Sequence, residues 1–223
     1  YSEKKLPFIF EPYLIRIVDY FMQLNNITLI SGSLRKNSYN TKILRNFEVE
    51  IYKYGYKCNI INLNNYSLPF YNEDIEKDSL PENLLILKKI FQDSSGLIVS
   101  SPEYNGEISA VLKNTFDWLS RKLPGETYKQ SFLGLKTIAV TSSTGKNGGS
   151  RALERLKVLL SRLGVDEEIL SYSLGNTSNE IFNENDDILL QSQKEKIQHL
   201  VEYFINSIKV NQDLVNEHKL KVS

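Results

Sequence analysis

With Cys58 as the sole cysteine in 223 residues, an internal disulfide is excluded and a reducing compartment, the cytoplasm, is the expected location. Cys58 lies inside the run Cys58-Asn59-Ile60-Ile61 and reads as an inert strand residue. Histidine is equally scarce: His199 and His218 lie late in the chain without cysteine nearby, so metal-ligand spacing is missing. Neither sign of charge is in excess, with 27 acidic and 27 basic side chains. Attraction to nucleic acid or to an anionic membrane is therefore not expected. The first two dozen residues are too short and too charged to span a bilayer, and they lack the small-residue cleavage site of a secretory signal. The chain opens at Tyr1 without methionine, which leaves room for an upstream targeting sequence. No Ser-His-Asp set, Cys-His pair or paired carboxylates can be assembled, so no residue is assigned a catalytic role.

What is present is organised around residues 27–40, ITLISGSLRKNSYN. Ile27, Leu29 and Ile30 form a compact apolar block that reads as a buried strand ending at Ser31-Gly32-Ser33. The next residues are suited to an anion. Gly32 permits a tight turn, Ser33 and Ser38 offer hydroxyl donors, Arg35 brings a permanent cationic fork, and Asn40 sits in the first turn of the next helix. A helix start adds free N–H groups and a positive dipole end, which together suit a phosphate dianion. The plainer alternative is a strand-to-helix turn with a capping serine.

Apolar strands then alternate with amphipathic helical stretches, the pattern of a parallel sheet covered on both faces. Strands are expected at 27–30, 56–63, 95–101, 136–142 and 168–174, and helices at 39–54, 81–91, 108–121, 149–163 and 188–208. Residues 64–79 read as a polar surface loop. Residues 12–24 are predicted to form a helix packed on the domain or on another subunit. The division expected is thus an extension over 1–24, an α/β three-layer sandwich over 25–210 with five parallel strands in the order 2-1-3-4-5, and a tail over 211–223. In such folds a ligand sits beyond the carboxyl ends of the first and third strands.

Two further loops belong to that rim. Ser101-Pro102-Glu103-Tyr104-Asn105-Gly106 sets a rigid proline, an aromatic plate and amide groups after the third strand. After the fourth, residues 141–149, with Ser143, Thr144 and Gly145 among them, hold three glycines and four hydroxyl residues and permit close approach to a ligand, although a mobile solvated loop fits the composition equally. It is not a Walker loop, and no dinucleotide GxGxxG follows the first strand, so a mononucleotide is the better fit.

The motifs Gly32-Ser33-Leu34-Arg35-x-x-Ser38-x-Asn40, Ser101-Pro102-Glu103-Tyr104-Asn105 and Leu112-Lys113-Asn114-x-x-Asp117-Trp118, in this order, resemble the NADPH-dependent FMN reductase family of flavodoxin-like proteins, which includes quinone, chromate and azo-dye reductases. The resemblance implies that Ser33, Arg35, Ser38 and Asn40 hold the FMN phosphate, that Pro102, Glu103, Tyr104 and Asn105 line the isoalloxazine ring, and that Ser143, Thr144 and Gly145 close on the ring or its ribityl chain. It implies NADPH or NADH as donor, a small-molecule electron acceptor, and a homodimer or homotetramer. One departure is evident: where the family commonly has Pro-Gly before the Leu-Lys-Asn stretch, this chain has Ser109-Ala110, and a helix can start there without either residue. Trp118 reads as core or subunit packing, Lys113 and Asp117 as a helix-surface ion pair, and Arg121 with residues 122–135 as lying near a subunit interface. The function expected is a two-stage hydride exchange through FMN to a quinone, azo compound, metal oxyanion or free flavin. The alternatives are a flavin-binding electron carrier or sensor, which the neutral charge disfavours, and an interaction domain without cofactor.

Overall fold

A computed structural model describes the backbone of residues 25–222 and the side chains of residues 25–210. The helix expected over 12–24 lies outside the described residues. Five strands, β1 (Asn26–Ser31), β2 (Lys57–Asn62), β3 (Gly96–Ser101), β4 (Lys136–Ser142) and β5 (Ile169–Leu174), pair in parallel in the order β2-β1-β3-β4-β5. The helices are α1 (Tyr39–Tyr52), α2 (Glu73–Asp78), α3 (Glu82–Gln92), α4 (Ala110–Leu119), α5 (Ser150–Leu163) and α6 (Gln191–Val222). No helix among the described residues is long and apolar enough to cross a membrane.

Strand side chains alternate between two cores because successive residues of a strand point to opposite faces of the sheet. Ile27, Leu29, Ile98, Ile138 and Val140 pack under α1 and α6, against Phe47, Val201 and Phe204. Ile30, Leu97, Val99 and Ala139 pack on the other face, against Leu87, Phe116 and Leu156 of α3, α4 and α5. Both faces being covered, the inner strands read as near-continuous apolar runs. The expected three-layer α/β sandwich and its strand order are found.

Two details differ from the sequence reading. Residues 64–79 are not all loop, because Asn72 accepts a hydrogen bond from the Asp74 N–H at 2.8 Å and Glu73, Asp74 and Glu76 complement the positive end of α2. The last helix starts at Gln191 and runs to Val222, past the predicted end at 208 and through the expected tail; neither glycine nor proline occurs beyond Gly175 to stop it. Arg121 is engaged within the chain: its Nε lies 3.0 and 2.9 Å from the two Glu76 carboxylate oxygens, and its guanidinium stands 5.4 Å from the Tyr71 ring.

The stretch between α4 and β4 is anchored by a buried ion pair. Lys88 Nζ, on a side chain only 2% exposed, lies 2.7 Å from Glu126, whose carboxylate also accepts from the Leu123 N–H and from Gln92. Burial works against ionisation of Glu126, but the bonds from Lys88, Leu123 and Gln92 outweigh it and hold its carboxyl below the usual range. Glu126→Ala leaves the Lys88 ammonium buried and unpaired, so urea unfolding should report a loss of about 3 kcal/mol. Because the folded carboxyl is the stronger acid, its contribution is present above the unfolded carboxylate's pKa and is lost as pH falls through the folded value. Wild type should therefore lose stability faster on acidification than Glu126→Ala.

Candidate functional site

The loop after β1 is built from short polar side chains that bond to one another. The Ser31 hydroxyl accepts from the Ser33 N–H at 3.3 Å and from Thr41 Oγ1 at 3.0 Å, and the Ser33 hydroxyl accepts from the Arg35 N–H at 3.4 Å. Ser38 is the N-cap of α1 and is buried, yet its side chain makes no capping hydrogen bond. Its hydroxyl and the first N–H groups of α1 are thus available to a ligand. Arg35 is exposed, and among the described residues no carboxylate pairs with it. Beside this loop, on the β2 side, lies a polar cleft of about 330 Å³ lined by Ser33, Arg35, Lys36, Thr41, Arg45 and Asn64, among others. Tyr104 is not among its lining residues.

Asn40 has a different place from the serines. It is buried, and its side-chain carbonyl accepts from Ser100 Oγ at 2.8 Å, so it fastens α1 to the end of β3. Gly32 closes the same joint: its N–H donates to the Ser100 carbonyl at 2.7 Å, and its carbonyl accepts from Ser109 Oγ at 2.6 Å. A Cβ on residue 32 would lie 2.8 Å from that Ser109 oxygen and 3.0 Å from Leu112 Cβ, so only glycine fits. The Ser109-Ala110 pair is thereby explained. Ser109 is the N-cap of α4, accepting from the Leu112 N–H at 3.4 Å while its own N–H donates to Ser101 Oγ at 3.1 Å. Sequence reasoning recognised that a helix could start there but missed the bond to Gly32; a serine before an amphipathic stretch was the available signal.

The loop after β3 is a small hairpin. Tyr104 and Glu107 exchange both backbone hydrogen bonds, at 3.0 and 3.1 Å, around Asn105 and Gly106 at φ 55° and 82°, the two-residue turn that Asn-Gly favours. Asn105 thus holds the turn, Pro102 is buried at its base, and Tyr104 is exposed beside it. Glu103 faces the next loop: one carboxylate oxygen accepts from the Arg151 and Ala152 N–H groups, both at 3.1 Å, capping α5. A negative side chain on that helix end is favoured by the dipole as well as by the orphan donors.

The loop after β4 is well fastened. The Ser143 N–H donates to the Leu174 carbonyl, the Ser143 carbonyl accepts from the Thr177 N–H, and the Gly145 carbonyl accepts from Gly148, Asn176 and the Ser143 hydroxyl. Thr144 and Gly145 are exposed at its tip. At its root, Thr141 and Ser142 are buried with hydroxyls that meet no partner among the described residues. Glu103→Ala should speed amide hydrogen exchange at Arg151 and Ala152 by about an order of magnitude and cost about 1 kcal/mol in chemical denaturation. Unchanged exchange there would place the Glu103 carboxylate elsewhere.

Residues 25–166 match the model of the NADPH-dependent FMN reductase family. An NAD(P)H-dependent FMN reductase of Pseudomonas aeruginosa is 32% identical over 136 residues, spanning 61% of this chain and 69% of that protein. A quinone reductase of Escherichia coli is 32% identical over 139 residues, spanning 62% of this chain and 70% of its own. Among solved structures, a flavoenzyme NAD(P)H:(acceptor) oxidoreductase of Paracoccus denitrificans superposes with a TM-score of 0.71 over 83% of this chain and 97% of that one, at 24% identity, a likeness of fold. The match over residues 25–166 and the flavodoxin-like sheet show that the chain belongs to the NADPH-dependent FMN reductase family of oxidoreductases.

Proposed function

We propose that this chain is an FMN-dependent NAD(P)H:quinone oxidoreductase whose flavin sits at the rim shared by the loops after β1, β3 and β4. What supports this most directly is the joint at Gly32, where the N–H bond to Ser100 and the Ser109 hydroxyl bond bring the anion-suited loop against the start of the hairpin loop. The quinone as acceptor is taken from the relatives that carry that name.

The residues fit the cofactor. The buried, uncapped hydroxyl of Ser38, the Ser33 hydroxyl, the first N–H groups of α1 and the unpaired Arg35 offer donors and positive charge to a phosphate dianion. Asn40 acts at one remove, holding the helix start against β3. Pro102, Tyr104 and Asn105 present a flat, fixed edge to the ring, with Glu103 locking that edge to α5 and so to Ser143, Thr144 and Gly145. FMN held there would supply the hydride-transfer chemistry that these side chains lack. The chain's own part is positioning: it anchors the phosphate, fixes the plane against which a nicotinamide and then a quinone can stack, and holds the loops still.

Purified protein reconstituted with FMN should show a flavin spectrum that bleaches on anaerobic addition of NADPH or NADH and recovers with a benzoquinone. A flavin spectrum that ignores both nicotinamides would instead identify a carrier. Arg35→Ala should weaken FMN binding by about 1.5 to 3 kcal/mol, roughly 10- to 100-fold in Kd by fluorescence titration. Unchanged affinity would remove Arg35 from the site.

A further inference from the structure

The cleft of about 330 Å³ beside the loop after β1 is far larger than one phosphate group fills. It opens on the β2 side, and β2 and β3 flank β1 on opposite sides, so it leads away from the hairpin that presents Tyr104. Ser33 and Arg35 line it and also belong to the phosphate-suited loop, whereas Ser38 and Asn40 are not in its lining. With the flavin placed as proposed above, its phosphate stands between two spaces: the ring lies toward β3, and the cleft lies toward β2.

The cleft is built for more anion than one group at the start of α1. Lys36 and Arg45 add two cations to Arg35, and no carboxylate is in the lining. Among the described residues Lys36 has no carboxylate partner, and Arg45 meets one, Asp186, at 3.3 Å, which Lys42 already holds at 2.7 Å. The Ser31 hydroxyl, on a residue only 2% exposed, accepts from the Ser33 N–H and from Thr41 Oγ1. A hydroxyl has two lone pairs and one proton, and both lone pairs are thereby engaged. The Ser31 proton is left without an acceptor among the described residues, on the wall of a cationic cleft. Apolar surface is present as well, from half-exposed Leu34 and from Ile60 and Ile61 of β2. The Asn64 amide donates to the Leu34 carbonyl at 3.1 Å, which ties the loop after β1 to the wall opposite it.

We infer that this cleft receives the adenylate half of a dinucleotide flavin, so that the chain binds FAD more tightly than FMN. This rests on the proposed placement of the flavin phosphate at Ser33, Ser38 and Arg35. A monoester ends there, whereas FAD continues from that phosphate on the side remote from the ring. Its second phosphate meets Lys36, Arg45 and the Ser31 proton, the donors that a monoester leaves unused. Its adenine lies on Leu34 and the β2 isoleucines, covering apolar surface that is otherwise wet.

Fluorescence titration of the flavin-free full chain with riboflavin, FMN and FAD at physiological ionic strength tests this. FAD should bind about tenfold more tightly than FMN, and the double variant Lys36→Gln, Arg45→Gln should weaken FAD by about tenfold while changing the FMN Kd by no more than about threefold. Lys36→Gln alone, which leaves the contact with Asp186 in place, should produce part of the same selective loss. FAD binding no tighter than FMN, or variants that weaken both flavins alike, would overturn the inference. The nicotinamide donor carries an adenylate too, so the KM for NADPH of the FMN-loaded double variant is read alongside. A raised KM with unchanged FAD affinity would assign the cleft to the donor and would equally overturn it. FMN binding no tighter than riboflavin counts against the proposed phosphate site, whereas tight FMN with no gain for FAD counts against the cleft alone.

Discussion

The bond from the Gly32 N–H to the Ser100 carbonyl carries the pairing of β1 and β3 one residue beyond the regular ladder, and the site depends on it. It can form only because residue 32 has no side chain: Ser109 and Leu112 occupy the space a Cβ would need. With the backbone drawn in, Ser109 reaches the Gly32 carbonyl, caps α4 and meets Ser101 in one move. The loop after β1 is thereby joined to the end of β3 and the start of α4 at the carboxyl end of the sheet, where parallel folds leave their crevice.

From that joint the fastening passes outward. The hairpin at Tyr104–Glu107 is fixed by its own turn, Glu103 ties it to the start of α5, and the loop at 143–145 is bound to the one after β5. Such a rim has little freedom left to lose when a ligand arrives, so more of the interaction energy appears as affinity. Donors left without partners among the described residues, as at Ser38 and Arg35, are what an anion would use.

The architecture was legible because its causes are local. Apolar blocks of strand length and the amphipathic helices between them act within a few residues, and β4 falls at the predicted bounds. The strand-to-helix turn over 31–38 was legible for the same reason. Roles set by residues far apart in sequence were not. Asn40 is claimed by Ser100, Glu103 by the α5 start and Trp118 by Pro69, and nothing near each residue announces its partner. The short helix α2 was missed because its capping asparagine and acidic first turn resemble a solvated loop in composition. Helix α6 overran its predicted end because the apolar pattern fades there while nothing breaks the backbone hydrogen bonding.

The loop at Pro69, whose carbonyl accepts from Asn114 Nδ2 and Trp118 Nε1, adds a second level of organisation. The same helix that begins at the Ser109 joint also holds Phe70 in solvent and forms one wall of a groove against α5, so α4 links the rim loops and the outer surface. The central claim concerns the rim itself, and a crystal structure of the protein with FMN tests it most directly. The phosphate is predicted within hydrogen-bond distance of the Ser33 and Ser38 hydroxyls and Arg35, with the ring plane against Pro102–Asn105. FMN bound on another face, or with its phosphate away from the start of α1, would contradict the account.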